Sequence, residues 1–233
     1  MKVIFTIALV VALMMTNSAY AHKLILHDES HRDFDSALNI PDHKISWAVY
    51  ENLGANKAKY YKFDALKGDS LYASLVIPKM EGLEEYAPTM FLVSNEFQGD
   101  SIESQDVQKY PYVGEFPSSE FYEPFGQVTY WERQEITTEI PTDGQYFIVV
   151  SDEKNQSGKY SLAIGTIEDF SGEDFLTILP QAWFETKLFV NDYASIAVFF
   201  AVIISIIAIP ILVALKKKFK RGNIVELKSK DFN

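Results

Sequence analysis

Cysteine is absent from this sequence of 233 residues. Its absence excludes disulfide bonds, thiolate metal sites, a catalytic thiol, covalently attached haem and lipid modification of a cysteine. An exported domain without disulfides depends on its hydrophobic core for stability, so it has to be large enough to bury one. Residues 22–192 are numerous enough for one such domain.

The sequence also lacks the short motifs of common enzyme classes. It contains no GxSxG nucleophile elbow, no HExxH zinc motif, no phosphate-binding glycine loop and no dinucleotide fingerprint. Carboxylates are so numerous that spacing alone supports no acid–base pair. We therefore expect a protein that is not an enzyme and has no cofactor, with copper as the single alternative described below.

Basic residues are scarce in the central part of the chain. Residues 22–192 carry 13 Lys and Arg against 30 Asp and Glu, a net charge of −17. A surface this acidic repels phosphate backbones, so nucleic acid is excluded as a partner. Cationic partners and metal ions are compatible with it.

Long uncharged runs occur only at the two ends. Residues 193–215 contain no charge and, as a helix rising about 1.5 Å per residue, would cross a hydrocarbon core of roughly 30 Å. They are predicted to form a transmembrane helix. A basic cluster follows directly and marks the cytoplasmic side. Residues 216–233 are therefore predicted to be a basic cytoplasmic tail that is too short to fold.

The N-terminal run has the pattern of a signal peptide. Lys2 precedes an apolar stretch, and Ala19-Tyr20-Ala21 is a small-x-small cleavage site. Residues 1–21 are therefore predicted to be removed. The expected product is a single-pass protein of the plasma membrane, with its N-terminal domain extracytoplasmic, its C-terminus cytoplasmic and the lipid bilayer as one partner.

Residues 44–165 alternate apolar and polar side chains in short runs separated by turn residues. Roughly eight such runs occur without a helical pattern between them, which favours an antiparallel β-sandwich. In this interpretation Val128–Trp131 and Glu135–Ile140 are separate strands. The predicted fold class is mainly β, a jelly-roll-like β-sandwich with one C-terminal transmembrane helix. Residues 22–43 precede it as an irregular leader or edge strand.

The segments YYKFDALKGDSLYASLVIP and GQYFIVVSDEKNQSGKYSLAIG resemble the bacterial pre-peptidase C-terminal domain, a jelly-roll sandwich found outside cells on proteases and other surface proteins. The resemblance is carried mostly by alternating core residues and turn glycines: Tyr61, Phe63, Gly68, Asp69, Leu71, Leu75, Gly144, Tyr146, Ile148, Val150, Gly158, Tyr160 and Leu162. It implies a fold more than a function. Lys59 stands where the family often has an acidic residue, and no protease domain is attached.

An insertion at residues 94–127 interrupts the resemblance. It interleaves proline and glutamate with aromatic residues, of which we single out Tyr110, Tyr112, Phe116, Phe121, Tyr122 and Phe125. Long structured loops on a sandwich often carry binding surfaces. The aromatic rings either form such a surface for a partner or cover one end of the sandwich as a minor core.

All four histidines lie in or beside the leader. If the signal peptide is cleaved, His22 offers an α-amine and an imidazole on one residue, an arrangement that suits copper(II) and resembles the N-terminal histidine of copper oxygenases. His27 and His31 are four residues apart and would share a face of a helix. His22, His27 and His31 are therefore the candidate metal ligands.

Residues 166–192 are predicted to be an amphipathic segment near the membrane surface, with a helix starting at Ser171 and interrupted at Pro180. Small residues line one stripe of the predicted span, notably Ala197, Ala201 and Ser205, and such stripes let helices approach closely. The sequence therefore favours a non-catalytic binding or accessory module of a surface or membrane complex, with a protein partner held by the helix or the outer loops. The alternative is a copper-binding accessory protein using His22.

Overall fold

The computed structural model describes residues 22–94, 107–169 and 174–230. The predicted signal peptide, the predicted helix start at Ser171 and residues 95–106 of the insertion lie outside the described residues. The chain divides into two compact units, Met1–Thr186 and Lys187–Asn233.

The first unit is a β-sandwich of two sheets. Among the described residues, sheet 1 has six strands in the order β1-β3-β11-β5-β9-β8, and sheet 2 has five in the order β2-β4-β10-β6-β7. Numbered along the chain, the strands are β1 Lys23–Leu24, β2 Leu38–Asn39, β3 Trp47–Leu53, β4 Ala58–Ala65, β5 Ser70–Pro78, β6 Thr89–Val93, β7 Val107–Tyr110, β8 Glu120–Glu123, β9 Val128–Glu139, β10 Gly144–Ser151 and β11 Gly158–Ile164.

The core lies between the sheets and follows the predicted alternation. In β4, Tyr61 and Phe63 point inward, and in β5 the inward positions begin with Leu71 and Leu75. Because successive side chains of a strand point to opposite faces, each strand contributes every second residue to one core. The hydroxyl groups of Tyr61 and Tyr160 meet inside it, with their oxygens 2.6 Å apart.

The leader at residues 22–43 adds the edge strands β1 and β2 and also covers sheet 2 from outside. Phe34 packs edge-on against Tyr60 and Phe147, with ring centroids 4.9 and 5.0 Å apart. These rings join a small second apolar cluster around Phe91 on the outer face. The leader is therefore part of the sandwich.

The antiparallel sandwich is confirmed, with three differences of detail. β1 and β2 pair in parallel with β3 and β4, so both sheets are mixed at an edge. The described part of the insertion, residues 107–127, contains two strands, β7 and β8. The two runs predicted within residues 128–140 form one strand, β9, whose pairing with β5 is irregular between Ser74 and Val76.

Helix α1, Asp174–Phe189, contains Pro180. The prediction that this proline interrupts the helix was wrong: proline removes one intrahelical hydrogen bond, but the helix continues for nine residues beyond it. Near its end, the Thr186 hydroxyl lies 2.8 Å from that of Tyr50 on β3.

Helix α2, Tyr193–Lys230, dominates the second unit. Asp192 caps it: its carboxylate accepts hydrogen bonds from the Ser195 hydroxyl, the Lys187 ammonium and the Ser195 amide, which lower the pKa of Asp192 to about 2. Within the described residues, Tyr193–Lys217 is the one helical stretch long and apolar enough to cross a membrane. The tail predicted to be unfolded continues this helix to Lys230.

Candidate functional site

Two charged side chains occupy inward positions at one end of the core. Glu51 lies between the inward residues Val49 and Leu53 of β3, and Lys59 precedes Tyr61 on β4. Glu51 is 1% exposed and Lys59 is 4% exposed. Their charges pair across the two sheets, with Lys59 Nζ 2.9 Å from Glu51 Oε1. Lys59 also donates to the carbonyl oxygen of Glu29.

Two histidines from the leader complete this cluster. His31 Nε2 lies 2.9 Å from Glu51 Oε2, and His27 Nε2 lies 3.7 Å from the same oxygen. The imidazole rings meet edge-on with centroids 4.7 Å apart. No helix joins them, because residues 25–31 are irregular. The structure thus brings His27 and His31 together by wrapping the leader over the end of the sandwich.

The protonation state of the cluster follows from its contacts. Burial raises the pKa of Glu51, but hydrogen bonds from His31 and Lys59 outweigh it, so the net shift is downward and the carboxylate is ionised. His27 Nε2 lies 3.0 Å from the Tyr50 carbonyl oxygen, which can only accept. His31 Nδ1 is buried and has no hydrogen-bond partner among the described residues.

The other two histidines lie elsewhere. His22 Nδ1 lies 2.6 Å from the Ser46 hydroxyl oxygen, and burial lowers the pKa of His22. His22 does not join His27 and His31 in the group of candidate ligands that the described residues form. The His43 ring packs against that of Phe63 at a tilt of 34°, and His43 Nε2 lies 3.6 Å from Asp69 Oδ2.

The irregular pairing of β9 is the centre of a second site. Glu135 and Glu132 pair with Ser74 and Val76 of β5, so two residues, Arg133 and Gln134, stand opposite one, Leu75. Two residues opposite one is the arrangement that defines a β-bulge, and a bulge redirects side chains. The Arg133 guanidinium donates to the carbonyl oxygens of Tyr86 and Glu84, at 2.9 and 2.8 Å, and to the Ser118 hydroxyl.

Arg133 organises part of the aromatic insertion. Its guanidinium carbon lies 5.3 Å from the ring centroid of Tyr112 and 5.0 Å from that of Phe116, within the range of cation–π contacts. Tyr110 belongs to β7 and packs partly buried against the core. Phe121 and Tyr122 on edge strand β8 are 41% and 57% exposed, and Phe125 is half-buried. Of the six predicted residues, some therefore pack against Arg133 or the core, and others are exposed to solvent.

A groove of about 370 Å³ opens beside this bulge. Its wall combines carboxylates, hydroxyl groups and aromatic rings, including Glu132, Glu135, Tyr72, Ser119, Tyr112 and Phe121. The Ser119 hydroxyl donates to Glu132 at 2.6 Å, and Tyr72 donates to Glu135 at 3.3 Å. Neither glutamate forms an ion pair with a residue that the structure describes, so the groove is acidic.

No protein-family model matches the chain, and no curated protein matches it in sequence. Solved structures with a similar sandwich include PliG from Aeromonas hydrophila, a periplasmic inhibitor of g-type lysozyme, with 11% identity and a TM-score of 0.37 over 62% of this chain and 98% of that chain. The pre-peptidase C-terminal domain of Bacillus anthracis collagenase has 13% identity and a TM-score of 0.33, over 59% of this chain and 97% of that chain.

CorA, a surface-associated copper-binding protein of Methylomicrobium album BG8, has 9% identity and a TM-score of 0.29, over 64% of this chain and 99% of that chain. A pre-peptidase C-terminal domain is thus among the structural neighbours. Similarities this weak assign neither a family nor an activity to the chain.

Proposed function

We propose that this protein is a non-catalytic binding module that helix α2 anchors in the plasma membrane, with its sandwich on the extracytoplasmic side. The sandwich holds a basic segment of a partner protein in the groove beside the β9 bulge, the β5–β9 groove. The observation that carries the proposal is the pair of glutamates in that groove, next to the exposed ring of Phe121. A pre-peptidase C-terminal-like identity fits this role, because such domains are accessories to other proteins.

The charge of the groove supports a cationic partner. Arg133 also lines the groove, and its guanidinium stays positively charged while it donates to backbone carbonyl oxygens and the Ser118 hydroxyl. Glu132 and Glu135 outnumber it, so the groove lining remains net negative. A lysine or arginine side chain could place its charge between these carboxylates and its apolar stem against Phe121. The net charge of −17 over residues 22–192 would attract such a segment from a distance.

The groove proposal predicts selective binding of a basic peptide. The full chain in lipid nanodiscs should bind a fluorescent oligolysine in preference to an oligoglutamate of equal length, measured by fluorescence anisotropy. The double variant Glu132→Gln/Glu135→Gln should weaken that binding about fivefold, because exposed charge pairs contribute up to about 1 kcal/mol.

The matched control is Glu81→Gln/Glu139→Gln. It removes the same charge from two exposed positions that do not line the groove. If both double variants weakened binding equally, the attraction would be a property of the net charge, and the groove would have no role. Absence of oligolysine binding to the unmodified chain would also contradict the proposal.

The membrane orientation can be tested because the native chain has no cysteine. A single cysteine at Leu66, which is 62% exposed on the sandwich, should react with a membrane-impermeant maleimide on intact cells. A single cysteine at Asn223 in the tail should react only after the cells are permeabilised. Labelling of Asn223→Cys but not Leu66→Cys on intact cells would reverse the proposed orientation.

The stripe of small residues on α2, Ala197, Ala201 and Ser205, is the proposed contact face for a second helix in the membrane. The Ser205 hydroxyl donates to the Ala201 carbonyl oxygen at 2.7 Å. The side chains of the stripe are therefore short enough for another helix to approach closely, and the Ser205 hydroxyl already has a hydrogen-bond partner within its own helix.

A further inference from the structure

The cluster at the end of the sandwich contains two imidazoles and one carboxylate, that of Glu51, which is paired with the Lys59 ammonium at 2.9 Å. Two histidines and one carboxylate form a common ligand set for zinc and other divalent transition metals. We propose that His27, His31 and Glu51 bind one divalent transition-metal ion, and that Lys59 is a positioning residue for Glu51. This site is separate from the β5–β9 groove and does not depend on the proposed function.

The ligand spacing supports this proposal. Ligands about 2.0–2.1 Å from one tetrahedral or octahedral ion lie roughly 2.9–3.4 Å from each other. The two distances from Glu51 Oε2 to the histidine Nε2 atoms are 2.9 and 3.7 Å, and the three ligand atoms all lie within 4.8 Å of one another. The His31 distance falls in this range and the His27 distance lies just outside it. To bind the ion, His27 Nε2 would give up its 3.0 Å contact with the Tyr50 carbonyl oxygen.

Lys59 does not occupy the place of the metal. It binds Oε1 of Glu51, which also accepts from the Asn52 amide, whereas both histidines face Oε2. Oε1 of Glu51 therefore holds the carboxylate in position, and Oε2 faces the imidazoles. Partners that orient a metal ligand in this way tune its affinity for the ion.

His31 Nδ1 has no partner among the described residues, so it can carry the ring proton when Nε2 binds the ion. The approach to the cluster is acidic, because Asp28 and Glu29 are exposed beside it. The Asp28 carboxylate accepts a hydrogen bond from the Ser30 amide at 3.0 Å. A groove of about 790 Å³, lined by Glu29 and Lys59, opens next to the cluster.

The test is a metal titration of the full chain in detergent, purified without a histidine tag. Calorimetry with zinc chloride and with copper chloride should show one site per chain. His27→Gln should abolish that site, and Lys59→Met should weaken it about 10- to 100-fold. His22→Ala and His43→Gln, which change histidines outside the cluster, should leave it unchanged.

The His27→Gln variant is the decisive one, because His27 lies at the surface edge of the cluster while Glu51 and His31 are buried. Circular dichroism checks that it folds. Pulsed electron paramagnetic resonance of the copper-loaded unmodified chain provides a second measurement without any variant, and should count two imidazole ligands. Absence of a stoichiometric site, a site lost in His22→Ala but kept in His27→Gln, or a count of one imidazole would each overturn the proposal.

Discussion

Replacing Glu51 by Leu is expected to lower the free energy of unfolding of the sandwich by about 3–5 kcal/mol, because the substitution leaves a buried lysine without its counter-charge. Among the residues that the structure describes, the Lys59 ammonium would retain only the carbonyl oxygen of Glu29. His31 would also lose its carboxylate partner. Urea unfolding of the full chain in detergent, with a chelator present and followed by tryptophan fluorescence, measures the loss.

A double-mutant cycle separates the charge from the packing. Lys59→Met should also destabilise the sandwich, since among the described residues Glu51 would then keep only His27, His31 and the Asn52 amide. The double variant Glu51→Leu/Lys59→Met should recover most of the loss, because an apolar pair of similar size replaces the ion pair. The unrecovered part should be about 1–3 kcal/mol, the cost of the unpaired His31 imidazole. Simple addition of the two single losses would show that Glu51 and Lys59 are not coupled.

The sequence predicted the parts of the fold whose evidence is local. The uncharged run that begins at Tyr193 starts a helix, and strands such as β4, Ala58–Ala65, lie within residues 44–165, where alternation predicts strands. Alternation also predicted the core, because Tyr61 and Tyr160 stand at inward positions. In each case, neighbours along the chain carry the whole pattern.

The bulge shows why alternation misled the prediction of β9. Arg133 and Gln134 are consecutive polar residues that both become buried, because the bulge places them opposite Leu75. Read along the chain, they look like a break between two strands. Only the pairing partner shows that the strand continues and that the two side chains hold neighbouring loops.

The cluster could be predicted only in part, for a related reason. His27 and His31 are close in sequence, but Glu51 and Lys59 come from strands of different sheets and meet only once the sandwich forms. A signal was present, since both charges occupy inward positions of alternating strands. The helical tail depended on context as well, because extending an existing helix is far easier than nucleating one.

The second large effect is expected at Gly165, where the chain leaves β11. Gly165 has a φ of +77°, and its amide donates to the Tyr72 carbonyl oxygen at 2.9 Å. A Cβ at this position would overlap the carbonyl oxygen of Ile45 and lie 2.7 Å from that of His43. These are backbone atoms, so no side-chain movement can make room. Gly165→Ala should therefore destabilise the sandwich strongly.

Gly68→Ala is the matched control for this substitution. Gly68 has a similar φ of +86°, but an added Cβ would meet nothing within 4 Å, so this variant carries only the conformational cost of about 1–3 kcal/mol. Gly165→Ala should exceed it by a further 1–3 kcal/mol or so, the usual penalty of overpacking. Urea unfolding of both variants in detergent compares them directly. Equal losses would mean that residues 43–45 move aside freely, although the Lys44 carbonyl oxygen accepts from the amides of Thr166 and Ile167.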